Sequence, residues 1–537
     1  MIYENLLLIL SLLFVVFMLM MLGQRLRVSY PIFLVLGGLV IGFIPGVPRI
    51  KMEPELVFLV FLPPLLFEAA WYTSWHNFWK WKRPIGLLAF GLVLFTSCIV
   101  AYVSNAMIPD FTLSLGFLLG GIISPPDAVA ATAVLKNVKM PKRALHILEG
   151  ESLVNDASSL IVFRFAVLSV VSGTFVLQQA ATDFVLVTIM GIITGLLVGN
   201  IFYAILRWLP TSPSISTAFT FMAPYFMYMG AEAFHFSGVM AVVSGGLFLS
   251  FRSHEILNYN ARMQAVSVWK TVAFVLNGIV FILIGLELPE ITEGLGDYSL
   301  GEAIRYGVII SLVAILIRMI WMFPATFIPR WLFKSIRTRE NNPGWKAPLV
   351  MSLAGMRGVV SLASALSIPL TLTDGTAFPH RNLILFITFV VILVTLVLQG
   401  LLLPFITRWL KIKEIDDVTP EMEQETGLRL QLMKVAQEHL QKEYVEEIEN
   451  NELIANMLHQ LQSSITLSVT KLESLKCDDT ELHEIALYHK VKQHVIALQR
   501  KELFRLKKSH LYDDEVLRKQ EALLDLEEAE MNGRSAH

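Results

Sequence analysis

Residues 112–134 read TLSLGFLLGGIISPPDAVAATAV. A stretch of this length with a single ionisable group, Asp127, matches a helix crossing the roughly 30 Å hydrocarbon core of a bilayer. Its middle, however, is Ser124-Pro125-Pro126-Asp127. Two successive prolines remove two backbone donors and clash with the preceding turn, so the sequence predicts a broken helix. Breaks at membrane depth occur where the freed backbone groups line a cavity or are buried in protein, and a carboxylate starting the second half-helix meets the positive end of its dipole. Asp127 holds that position; a plain proline kink is the simpler alternative.

Working outward, apolar stretches of similar length recur up to Leu410 and then stop. They place spans near 2–22, 31–46, 55–72, 84–103, 112–134, 147–172, 182–207, 214–230, 235–251, 265–288, 303–329, 346–369 and 382–410. Of the 537 residues, 55% are hydrophobic and 16% charged, which is too apolar for a water-soluble chain. The reading is an all-α polytopic membrane protein of about thirteen transmembrane helices, with a helical tail. Domain 1–413 carries 28 basic and 19 acidic residues and tail 414–537 carries 15 and 26. Such an acidic tail is no clamp for nucleic acid or anionic lipid. Leu428, Leu432 and Val435, then Val491, Val495 and Leu498, fall at helical spacing and predict amphipathic helices that pack, dimerise or regulate. Only Cys98 and Cys477 are present, so no disulfide framework or thiolate metal site is expected.

Basic residues divide the loops. Arg25 and Arg27, Lys80 to Arg83, Lys136 to Arg143, Arg252 and Arg262, and Arg330 to Arg339 mark one set as cytoplasmic. Arg49, Lys51, Arg305 and Arg381 stand among Asp110, Asp183, Glu290, Glu293 and Asp297 in the other set. An odd number of spans then puts the N-terminus outside and the tail, after Arg408, Lys411 and Lys413, in the cytoplasm. The first span lacks a basic region before it and reads as a retained helix. Short outer loops fit a bacterial inner membrane.

Ionisable residues within spans are costly in lipid and therefore mark function or structural ion pairs. They include Glu68, Asp127, Glu149, Glu151, Asp156, Arg164, Arg318 and Arg357. The densest group is Glu149-Gly150-Glu151-Ser152-Leu153-Val154-Asn155-Asp156. At 100° per residue, Ser152 and Asp156 share a helix face with Glu149 beside them, while Glu151 is offset toward Asn155. A carboxylate with a neighbouring hydroxyl is a hard-oxygen site for Na+ or Li+. Withdrawn from water, it can hold a proton as the alternative occupant. Competition for one carboxylate couples the two flows without a third component. Seven spans beyond the first break, Ala354-Gly355-Met356-Arg357-Gly358 interrupts another apolar stretch. Two interrupted helices point to inverted repeats of six, read as spans 2 to 7 and 8 to 13, whose broken helices cross at the midplane. Asp127 would offset helix N-termini there, and Arg357 the opposing C-termini.

These residues carry a family resemblance. Pro63-Pro64-Leu65-Leu66-Phe67-Glu68, Ser124 through Ala130, Glu149 through Asp156, Asn277-Gly278 with Ile284-Gly285-Leu286, Arg318, and Gly355 through Gly358 occur in order across residues 5–410. In this the chain resembles the monovalent cation:proton antiporters, a family that includes the bacterial NhaP-like antiporters and the animal Na+/H+ exchangers. The resemblance implies a homodimer of thirteen-helix protomers, each with a six-helix core rocking against a dimerisation domain. It implies Asp156 as ion and proton carrier, Ser152 and Glu151 as further Na+ ligands, and Asp127, beside the crossover, as a fourth cation-binding residue. It implies a Glu68–Arg318 ion pair that steadies Asn155. Asn155-Asp156 in place of Asp-Asp is the pattern of the electroneutral branch, hence one cation per proton. Pro126 stands where that family usually has a threonine ligand and Ala128 where it has proline, which keeps K+/H+ exchange as the alternative to Na+/H+. No cofactor is implied beyond the transported Na+ and H+, and the chain is not read as an enzyme. A passive channel would show a repeated carbonyl loop or acidic ring. An intramembrane hydrolase is the least favoured reading, because the nearest zinc signature, His483-Glu484, lies in the tail and has Leu487 where the second histidine must stand.

Overall fold

The computed structural model of the protein describes residues 2–26, 29–45, 59–135, 140–173, 177–296, 298–372, 375–412, 421–474, 480–509 and 514–535. Arg27, Arg49, Lys51, Lys136, Lys139, Asp297, Lys413 and Cys477, named above, lie outside the described residues, as do the side chains of Arg339, His483 and Glu484. Two compact units separate at Met1–Asp416 and Asp417–His537.

In the first unit, apolar runs become helices wherever the sequence offers length without breakers. These are α1 (Ile2–Leu26), α2 (Tyr30–Gly42), α3 (Leu62–Tyr72) and α4 (Lys82–Met107). The predicted break at Ser124 separates α5 (Leu113–Ile123) from α6 (Ala128–Leu135). Then come α7 (Lys142–Ser172), α8 (Leu177–Trp208), α9 (Pro213–Glu232), α10 (Gly238–Phe251), α11 (Tyr259–Leu286) and α12 (Leu300–Leu332). The second break separates α13 (Lys346–Leu353) from α14 (Val359–Leu366), and α15 (Arg381–Leu410) closes the unit. Among the described residues, seven helices are long and apolar enough to cross a membrane. The other predicted spans coincide with shorter or interrupted helices. Side chains set several starts: Thr112, Ser237 and Asn258 cap α5, α10 and α11, and Ser299 and Glu302 form a reciprocal capping box on α12. The two breaks fall in the fifth and the twelfth of the predicted spans.

The helices pack in two groups. One comprises α1, α2, α3, α8, α9, α10 and α11; the other comprises α4, α5, α6, α7, α12, α13, α14 and α15. Small residues let backbones approach within each group, as is usual where lipid removes the hydrophobic drive between helices. A Cβ on Gly120 of α5 would stand 2.6 Å from Ser97 Cα of α4, and one on Gly285 of α11 would stand 2.3 Å from the Val35 carbonyl oxygen of α2. At one end of the second group, Arg83 and Arg143 donate to the Glu340 carboxylate at 3.0 and 2.9 Å, and Arg330 donates to the Glu340 carbonyl at 2.8 Å. Three of the loops read as cytoplasmic therefore meet at one face.

The second unit holds α16 (Glu421–Glu443), α17 (Glu452–Ser474), α18 (Thr480–Ser509) and α19 (Asp514–Ser535). Helices form as the spacing predicts, but the expected apolar faces do not close. Leu428, Leu432, Val435, Val491, Val495 and Leu498 are all exposed, while Ile496 and Leu517 are buried. Ile496 lies one residue, or 100°, from Val495, so the buried face of α18 is rotated from the one the spacing marks. Arg500 of α18 pairs with Asp525 and Glu528 of α19.

Candidate ion-binding site

The two breaks meet. Pro125 and Pro126 have no N–H to offer, and the next amide, Asp127, donates at 2.6 Å to the Met356 carbonyl inside the second break. The Asp127 carboxylate caps α6 by accepting from the Val129 and Ala130 amides at 2.8 and 3.3 Å, and the Val359 amide of α14 also hydrogen-bonds it. One carboxylate thus serves the N-termini of two half-helices, where backbone donors are unsatisfied. Arg357, 1% exposed, does the converse. Its Nε donates at 2.9 Å to the Ile123 carbonyl that ends α5, and its Nη1 donates to the Gly355 carbonyl beyond α13. Its own amide donates to Thr395 Oγ1 on α15 at 3.1 Å. The two side chains thus sit at helix ends of opposite sign.

The crossover tolerates no side chain at Gly358, since a Cβ there would fall 1.8 Å from Asp127 Oδ2. Gly358→Ala is expected to cost upward of about 1–3 kcal/mol by overpacking, with Asp127 driven off its caps. A thermal midpoint within a degree of wild type in detergent would show that the crossover relaxes freely.

Beside the crossover, between the two helix groups, is a cavity of about 320 Å3. α3 and α11 contribute Glu68 and Asn277; the other group contributes Asp127, Glu149, Ser152, Asp156 and Ser361. Glu149, Ser152 and Asp156 share one face of α7, as their spacing predicts. Asp156 is 8% exposed. Tyr72 and Thr73 are shared with a wider vestibule lined by Trp75, His76, Lys80 and Phe251, which leads toward the end that carries Lys80.

Two expectations are corrected. Arg318 does not pair with Glu68: its Nη1 and Nη2 donate to the two carboxylate oxygens of Glu151 at 2.5 and 2.8 Å, with both side chains 1% exposed. Glu151 is therefore committed to α12 and absent from the cavity wall, in place of the cation-ligand role read for it. One residue before Ser152, it points 100° away around α7. Glu68 stays on the opposite helix group, facing the cavity, and Asn155 is steadied by donating to the Pro126 carbonyl at 3.3 Å. Arg318 and Arg357 are thus engaged elsewhere, and neither pairs with the carboxylates that line the cavity.

Two turns beyond Asp156 along α7, Arg164 pairs with Glu232 of α9 across the groups, beside a second cavity of about 220 Å3. Glu232 and Ser361 carry no signal in the sequence reading. The first sits at the end of a span, and the second is an ordinary serine in an apolar helix.

Comparison with known proteins adds the following. The transmembrane sodium/hydrogen exchanger family model matches residues 9–409. A sodium, potassium, lithium and rubidium/H+ antiporter of Bacillus pumilus is 35% identical over 386 residues, 69% of this chain and 56% of that protein, so the chain matches little more than half of that relative's length. An uncharacterized Na+/H+ exchanger of Mycobacterium tuberculosis is 31% identical over 533 residues, covering 95% of this chain and 93% of the relative. Among solved structures, the sodium proton antiporter MjNhaP1 of Methanocaldococcus jannaschii at pH 8 superposes with a TM-score of 0.59 at 20% identity, over 75% of this chain and 99% of that one.

Proposed function

The chain belongs to the sodium/hydrogen exchanger family, and from that premise we propose that it is a secondary antiporter exchanging Na+ or Li+ for H+, one for one, across a bacterial cell membrane. The observation that carries the reading is Asp156, a nearly buried carboxylate beside Ser152 in a cavity whose neighbouring arginines are all engaged by other groups. A cation shedding water into this cavity gains the carboxylate and hydroxyl oxygens, with Glu68 across the gap as a further acidic oxygen. A proton on Asp156 removes the charge that holds the cation. The two occupants therefore exclude each other, and a return trip carries one or the other.

The division into two helix groups supports alternating access as the route. The cavity opens toward the Lys80 end, and the second cavity lies farther along α7 with the Arg164–Glu232 pair at its wall. Sliding of the group that carries Asp156 past the group that carries Glu68 and Glu232 moves the site from one side to the other, with Arg164–Glu232 parting as it does. Asp127 and Arg357 keep the crossed half-helices rigid during the movement. The Lys80 end is cytoplasmic in this reading, the N-terminus is outside, the tail is cytoplasmic, and two copies form a dimer in the lipid. The B. pumilus relative is named for potassium as well as sodium, which favours K+/H+ exchange as the second reading.

Proteoliposomes carrying the purified protein and a pH-sensitive dye test this. Proton movement on adding Na+ or Li+ that is indifferent to a clamped membrane potential is the expected result. A response to K+ alone would move the assignment to K+/H+ exchange, and dependence on the potential would overturn the one-for-one ratio. Silence with all three cations would overturn the antiporter reading.

A further inference from the structure

Hydroxyls on the helices of the membrane unit are as a rule satisfied by their own helix. Ser97 donates to Val93 O at 2.8 Å, Ser311 to Gly307 O at 2.6 Å and Ser364 to Val360 O at 2.7 Å, each four residues back. This back-bonding is the default for serine in an apolar helix. Ser361, three residues before Ser364 on α14, departs from this pattern. Four residues back from it is Arg357, inside the break and before the helix begins at Val359. The Ser361 hydroxyl, on a side chain 1% exposed, has no hydrogen-bond partner among the described residues. A buried polar group left in this way requires an explanation, and an ion is one of the few available.

Ser361 lines the same cavity as Asp156 and Ser152. Resting on the antiporter reading above, we propose that the Ser361 hydroxyl is a ligand of the transported cation and sets the preference for Na+ over K+. The helix break thus does two things: it creates the crossover, and it releases a hydroxyl oxygen toward the ion. A hydroxyl is a neutral hard-oxygen donor, suited to a dehydrated alkali cation. It stands on a half-helix whose start is tied to Asp127, so it cannot easily give way to a larger ion. Because α14 packs in the same group as Asp156, Ser361 travels with the carrier carboxylate, and it acts on binding from either side of the membrane alike. Glu68 and Asn277, on the opposing group, do not share that property.

The test uses the full chain in proteoliposomes, comparing wild type, Ser361→Ala and Ser361→Thr with Na+ and K+ titrated from each side. For Ser361→Ala the apparent KM for Na+ is expected to rise about tenfold on both sides, the KM for K+ less than about threefold, and the maximal rate to stay within about twofold. Ser361→Thr, which keeps the hydroxyl, is expected to retain the wild-type ratio. Unchanged KM values in Ser361→Ala, or equal shifts for both cations with a falling thermal midpoint, would overturn the proposal in favour of a water-bound or structural serine. Stabilisation of the detergent-solubilised protein by Na+ is read in parallel and needs no transport. If wild type is stabilised and Ser361→Ala is not, the ligand assignment stands even where proton flux fails; if wild type is not stabilised, both the assignment and the Na+ reading fall.

Discussion

Asp156→Asn abolishes cation-driven proton exchange, lowering the rate by at least about 100-fold, which corresponds to ~2.7 kcal/mol of barrier. The substitution keeps the volume and one oxygen of the side chain but removes both the charge that draws a cation and the site that accepts a proton. Arg318 and Arg357 are held by Glu151 and by the Ile123 and Gly355 carbonyls, so no cation is orphaned when this charge disappears. The variant is therefore expected to fold, and to melt no lower than wild type, because a nearly buried carboxylate has been exchanged for a neutral amide. Stabilisation by Na+ should vanish along with the flux. Full exchange by Asp156→Asn would move the carrier elsewhere, with Glu68 the first candidate because it faces the same cavity.

How much of this was legible without coordinates depends on the range of each signal. Pro125-Pro126 and Gly355 with Gly358 act through backbone donors and sterics within a turn, so both breaks could be placed from the chain alone. The shared face of Glu149, Ser152 and Asp156 follows from helical period. The roles of Asp127 and Arg357 followed because dipole ends of opposite sign call for opposite charges. The partner of Arg318 did not follow. Glu68 and Glu151 are both acidic and both within spans, and the choice turns on the rotation of α7 and on which helix group each joins. Ser361 was invisible for another reason: its signal is a buried hydroxyl with no hydrogen-bond partner, which appears only when the packing around α14 is known. In the tail, the spacing marked helices, but the buried face of α18 runs through Ile496 and not through Val495.

The Arg318–Glu151 pair makes the second large prediction, this time on stability. Both side chains are 1% exposed, and the pair ties α7 to α12; Arg318 Nε also donates to the Met351 carbonyl of α13 at 3.3 Å. Breaking a buried pair by removing one partner leaves an uncompensated charge and typically costs about 3–5 kcal/mol, whereas replacing both by packed apolar groups is often neutral. Glu151→Gln and Arg318→Met are each expected to lower the thermal midpoint in detergent strongly, and the double variant Glu151→Leu/Arg318→Met to recover most of the loss. Recovery of stability need not restore transport, since Gly355 packs on the Arg318 stem, where its added Cβ would lie within 2.4 Å of Cδ. A shape change there reaches the crossover directly. Were the two single variants as stable as wild type, Glu151 would not need Arg318 for its burial, and its exclusion from the ligand set would lose its support. Were the double variant as unstable as either single one, the cost would lie in packing around the guanidinium and not in the orphaned charge.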